Sequence, residues 1–120
     1  MYRKTLVLGA SLKKERYSNI AIQRLRAKNI SVVALGAREG VVGDVSVDVG
    51  RKIYKDIDTI TLYLNPKRQS EYYDYIVSLN PNRVIFNPGT ENLELINLLK
   101  QKEIFPEVAC TLVLLSINQY

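Results

Sequence analysis

Gly9-Ala10-Ser11 closes a short apolar run, and Leu12-Lys13-Lys14-Glu15-Arg16-Tyr17 then leads to Ser18-Asn19. These residue types suit an anion. Glycine permits a sharp turn off a strand, and Ala10 and Ser11 are small enough for a phosphate to approach the backbone. Ser11, Ser18 and Asn19 can donate side-chain hydrogen bonds, and a helix starting at Ser18-Asn19 offers free N–H groups. Lys13, Lys14 and Arg16 add positive charge. A dinucleotide fingerprint would place two further glycines close behind Gly9. This loop is instead about six residues longer than such a turn, and it reads as a pyrophosphate cradle built from side chains. The plain alternative is a surface loop ending in a helix cap.

A second candidate is Gly36-Ala37-Arg38, with Glu39 one step later. An NAD site puts Asp or Glu at the end of the second strand to grip the ribose hydroxyl. Arginine there suits a ribose bearing an extra phosphate, which means NADP or coenzyme A with its 3′-phosphate; otherwise it is a solvated side chain. Two further strand exits share a form, Leu64-Asn65-Pro66 and Asn87-Pro88-Gly89-Thr90. Their amides can bond a base or an amide-bearing arm, although helix-entry turn chemistry also accounts for them. Cys110, late in the chain, is either a small buried residue or, if it faces the ligand groove, a thiol able to form a mixed disulfide.

The totals restrict what chemistry is available. There is no histidine, so histidine triads, Cys-His dyads, histidine metal sites and phosphohistidine are excluded within these 120 residues. One cysteine cannot form an internal disulfide or a thiolate metal cluster, and it fits a reducing, cytoplasmic setting. No metal site is expected. Carboxylate, tyrosine or lysine catalysis stays open, but no catalytic pair stands out. The formal charge of +5 favours an anionic partner. Asp44, Asp48, Asp56 and Asp58 interrupt any basic face, so nucleic acid is not expected as a partner. Nor is a membrane, because no apolar run approaches the roughly 20 residues a span needs. The basic-then-apolar start is too short for a signal peptide.

These loops need a framework to position them. Apolar runs at 4–9, 31–36, 59–64, 83–87 and 107–111 are nearly continuous, as in parallel strands covered on both faces. Helical spacing appears between them over 18–28, capped by Ser18 or Asn19, over 69–79, and over 91–102, capped by Thr90. The stretch 37–58 lacks a helical period. It reads as an irregular crossover with an extended piece at 45–49 and a brief helical turn at 55–58. The alternation predicts one α/β domain over 1–120, a Rossmann-like, doubly wound, parallel five-stranded sheet in three layers, ordered 3-2-1-4-5.

The segments GASLKKERYSNIAIQRL, VVALG, VGDVSV, DIDTITLYLNPK, RVIFNPGTEN and EVACT together resemble the small stand-alone CoA-binding proteins. Their domain is similar to the N-terminal domain of the succinyl-CoA synthetase alpha subunit. The resemblance implies that Gly9, Ala10, Ser11, Arg16, Ser18 and Asn19 hold the CoA phosphates. It places Gly36, Ala37 and Arg38 by the adenosine, and Leu64, Asn65 and Pro66 along the groove. Asn87, Pro88 and Gly89 fall towards the pantetheine arm. The synthetase subunit's second domain, with its phosphorylated histidine, has no counterpart here, so ligase activity is not implied. The expectation is a non-catalytic binder of CoA or an acyl-CoA. The alternatives are a small NADP- or CoA-dependent enzyme and a nucleotide-sensing subunit with a protein partner or a second copy of itself.

Overall fold

The computed structural model describes residues 4–120. Its central strands are β1 (Lys4–Ala10) and β5 (Ile57–Leu62). Leu6, Val7 and Leu8 of β1 and Ile57, Ile60 and Leu62 of β5 are buried, so both faces of these strands need cover. β2 (Val32–Gly36), β6 (Arg83–Phe86) and β7 (Phe105–Val108) extend the parallel sheet, and β3 (Gly40–Val42) and β4 (Val45–Asp48) finish one edge. The order is β3-β4-β2-β1-β5-β6-β7, with only β3 antiparallel to its neighbour.

The sheet therefore has seven strands where five are expected from sequence. Strand order differs too. The run at 59–64, expected beyond the second strand, forms β5 and pairs with β1 instead. The place beside β2 goes to β4, whose Val45 and Val47 are buried while Ser46 is exposed. The physical reason is burial. A strand buried on both faces belongs at the sheet centre, whereas a short alternating one suits the edge. The predicted helical turn at 55–58 is absent: Asp56 has φ +60°, and Ile57-Asp58 already belong to β5.

Helices cover both faces. α1 (Tyr17–Ala27) and α5 (Thr111–Ser116) lie on one side, where Ile22, Leu25 and Leu115 pack with Val7, Ala34 and Val47. On the other side are α2 (Pro66–Gln69), a 3-10 turn at Ser70–Tyr72, α3 (Tyr73–Ser78) and α4 (Leu93–Gln101). There Ile76, Leu95 and Leu99 meet Leu6, Leu8, Ile60 and Phe86. Full burial of each such side chain is worth about 2 kcal/mol. The β3–β4 hairpin is tied to α1 by Arg26, which grips both oxygens of Asp44 at 2.9–3.2 Å.

Helix starts differ from the sequence expectation. α4 is capped by Asn92, which accepts from the Leu95 N–H, and not by Thr90, whose hydroxyl donates to the Asn87 carbonyl. The predicted 69–79 helix begins earlier, at Pro66, and is interrupted by the 3-10 turn. α5 was not anticipated. The last strand ends at Val108, so Cys110 is the half-buried residue just before that helix.

Candidate functional site

The exits of β2, β1 and β5 meet at very short range. β1 bulges at Gly9, where φ is +95° and a Cβ would lie 2.9 Å from the carbonyl carbon of Tyr63. Gly36 is closer still, since its Cβ would stand 2.2 Å from the Ala10 carbonyl oxygen. Only glycine fits at either place. Here the direction of chain progression reverses on the two sides of β1, the position at which open α/β sheets form a ligand crevice.

A cleft of about 560 Å³ opens above this junction, a size suited to a small-molecule ligand. Its floor and walls include Leu8, Leu35, Leu64 and Tyr63. Around them stand Lys13 and Arg16 of the first loop, Arg38 of the second and Arg68 of α2. Among the described residues no acidic side chain lines the cleft and none of these cations has an ion-pair partner. The concentration of positive charge in a partly apolar recess favours an anion with an apolar portion.

The first loop is held by its own side chains. The Ser11 N–H donates to Ser18 Oγ at 3.0 Å, and Asn19 Nδ2 donates to the Ser11 carbonyl at 3.0 Å. The Lys13 N–H donates to Ser11 Oγ at 3.1 Å. Ser18 and Asn19 are buried. They do not cap α1, whose cap position is Arg16, without a side-chain bond. They brace the loop from below, leaving Gly9, Ala10, Ser11 and Arg16 as the expected residues that face the cleft.

Gly36, Ala37, Arg38 and Leu64 also line it. Asn65 and Pro66 do not; Asn65 Oδ1 caps α2 by accepting from the Arg68 N–H at 2.9 Å. Asn87, Pro88 and Gly89 lie outside the lining as well. Asn87 is buried and occupied: its Nδ2 donates to Thr61 Oγ1 and the Leu62 carbonyl, and its Oδ1 accepts from the Thr111 N–H. It joins the exits of β5 and β6 to the start of α5. Gln69 does similar work, donating to the Leu64 and Thr90 carbonyls at 2.8 Å.

Arg68, Tyr63 and Tyr72 are cleft residues that the sequence reading passed over. The signal for Arg68 was the Asn65-Pro66 pair, because asparagine before proline starts a helix and puts Arg68 in its first turn. Tyr72 follows one turn later. It is steadied by Arg51, whose guanidinium lies 4.7 Å above the ring and donates to the Glu71 carbonyl.

The match to known sequences spans residues 3–116 and is to the CoA binding domain. The chain belongs to that family. No curated protein matches it. A crystal structure of an uncharacterized protein is 42% identical, with TM-score 0.96 over 100% of this chain and 99% of that one. A hypothetical protein from Pyrococcus horikoshii OT3 is 25% identical, with TM-score 0.81 over 93% of this chain and 80% of that one. A Thermus thermophilus structure, cell-free ID.343, is 16% identical with TM-score 0.87 over 99% and 91% of the two chains, a likeness of fold. The Rossmann-like α/β architecture is thus shared with these structures.

Tyrosine ionisation provides a test of this CoA-binding-family cleft and the core beneath it. Burial pushes Tyr63 up to about 12, with the Thr61 and Thr111 hydroxyls opposing and Cys110 adding to the shift. Burial likewise raises Tyr75 to about 12. At neutral pH Tyr63 is a hydrogen-bond donor and a poor base. Both groups hold their protons more tightly folded than unfolded, where tyrosine titrates near 10. Their contribution is full below pH 10 and is lost as pH rises through about 12. The urea midpoint should fall across that interval, and less steeply in Tyr63→Phe. A midpoint that is level or rising there would contradict the burial of these hydroxyls.

Proposed function

We propose that this chain binds coenzyme A, free or acylated, across the ends of β1, β2 and β5, and acts as a cytoplasmic single-domain binder. The observation that carries the reading is the ring of Lys13, Arg16, Arg38 and Arg68 around a cleft without acidic lining, in a chain of the CoA binding domain family. Phosphates lie against Gly9, Ala10 and Ser11, where small residues and the unblocked start of α1 admit them. Arg38 faces the phosphate on the ribose. Leu35, Leu64 and Tyr63 supply the apolar surface.

Calorimetry with CoA, dephospho-CoA and NADP tests this. CoA should bind with an affinity that falls as salt rises, because several charges are neutralised together. Dephospho-CoA should bind about tenfold more weakly, one charge-assisted contact being worth about 1.4 kcal/mol or more. Equal or tighter binding of NADP would transfer the assignment to that nucleotide, and no heat with any of the three would remove it.

A further inference from the structure

Polar groups are spread unevenly across the tops of the strands. The cleft lining comes from the exits of β1, β2 and β5 with Arg68 and Tyr72, and among the described residues none of it comes from β6 or beyond. All four cleft cations, Lys13, Arg16, Arg38 and Arg68, stand on this part. Past β5 the side-chain amides bond to the protein itself. Asn87 Nδ2 donates to Thr61 Oγ1 and the Leu62 carbonyl, and Gln69 Nε2 donates to the Leu64 and Thr90 carbonyls. Asn92 Nδ2 donates to Gln69 Oε1 and the Tyr73 hydroxyl. Each of these amides has two hydrogens, and both are taken. At the exit of β6 the Gly89 N–H is also occupied, donating to Glu91 Oε1 at 2.8 Å. The sign of charge changes there too, since Glu91 and Glu94 are the exposed ionised side chains that follow.

We infer, on the reading of the cleft as a CoA site, that it recognises the 3′-phospho-ADP end of the ligand and leaves the pantetheine arm, with any acyl group on it, unheld. Every ionised group of CoA lies at that end, in the 3′-phosphate and the diphosphate, and the cleft cations match them. The base meets an apolar wall of Leu35 and Leu64, with Tyr72 beside them. Tyr72 is held in place from outside the cleft. Arg51 lies 4.7 Å from its ring centre and donates to the Glu71 carbonyl at 2.8 Å, while the Tyr75 ring packs edge-on against it at 6.3 Å. A tyrosine ring fixed in this way is a stacking surface for a purine. The arm is a flexible chain, and ordering it on the protein needs partners for its two amides. Asn87, Gln69 and Asn92 have no amide hydrogen left to offer, so the arm stays in water. CoA, its thioesters and an armless 3′-phosphoadenosine nucleotide then present the same chemistry to the protein.

Calorimetry on the intact chain with CoA, acetyl-CoA, octanoyl-CoA, 3′-phospho-ADP and 4′-phosphopantetheine provides the test. The first four should bind within about threefold of one another, and phosphopantetheine about a hundredfold more weakly, having lost most of the charge-assisted contacts. Tyr72→Ala should weaken CoA and 3′-phospho-ADP by the same factor, about tenfold, as the loss of one stacked base predicts. Tyr72→Phe keeps the ring and should bind both as the wild type does. If 3′-phospho-ADP binds more than about tenfold more weakly than CoA, or acetyl- and octanoyl-CoA differ by that much, the inference is overturned while CoA binding stands. Binding of 3′-phospho-ADP without CoA would do the reverse, ending the CoA reading and assigning the cleft to an armless nucleotide. Heat from neither ligand would remove both.

Discussion

Gly36→Ala is expected to cost about 3 kcal/mol or more, a large share of the roughly 5–15 kcal/mol that holds a domain of this size together. The new methyl would sit 2.2 Å from the Ala10 carbonyl oxygen and 3.1 Å from a Val47 methyl. A flexible side chain could yield, but the carbonyl cannot. It belongs to a strand that pairs with β2 on one side and β5 on the other. Relief requires β1 and β2 to separate, which disrupts the ladder and the cleft floor together. Gly43→Ala is a suitable comparison, since nothing lies within 4 Å of its Cβ and only the left-handed φ of +61° opposes it. That should cost about 1–2 kcal/mol. Urea unfolding of the two variants measures the difference. A Gly36→Ala protein with the wild-type midpoint would mean that the β1–β2 approach is wrong.

The second large effect concerns charge. Arg16→Ala, Arg38→Ala and Arg68→Ala should each weaken CoA binding about tenfold, and the triple variant about a thousandfold, if each loses one charge-assisted contact. Coupling through a shared ligand phosphate would make the triple loss differ from the product of the single ones. The side chains are exposed, so folding should be unaffected. Arg24, on α1 but outside the cleft lining, provides the control: Arg24→Ala should change affinity by less than about twofold. The salt dependence should also flatten in the triple variant. Undiminished binding by that variant would detach the ligand from this cleft. Arg68 is the most informative of the three, because the sequence pattern places it in a helix's first turn and only the fold brings that turn to the cleft.

Reading the chain by periodicity found the elements that bury the most surface. β1, β2, β5 and β6, together with α1 and α4, announce themselves through runs or stripes that have to be covered. It found Gly9 and Gly36 for the same reason, because turns off buried strands need small residues. It was blind to competition among polar groups. Ser18 and Asn19 are good helix caps in isolation, but the Ser11 backbone outbids the helix start for their side chains. Thr90 and Asn92 exchange the capping role because Thr90 is drawn to the Asn87 carbonyl.

What the amino-acid sequence determined by itself was an alternating α/β chain with a cationic first loop, small residues at two strand ends and no histidine chemistry. These are local properties, set by residue type and spacing. Tertiary structure alone decided that 57–62 lies beside β1, that Val45–Asp48 completes the other side of β2, and that Arg68 and Tyr72 join the cleft while Asn87 does not. Each of those depends on which segments come together across long separations. That outcome follows from the whole chain's need to bury its apolar faces and pair its polar groups at once, and no short window of sequence contains it.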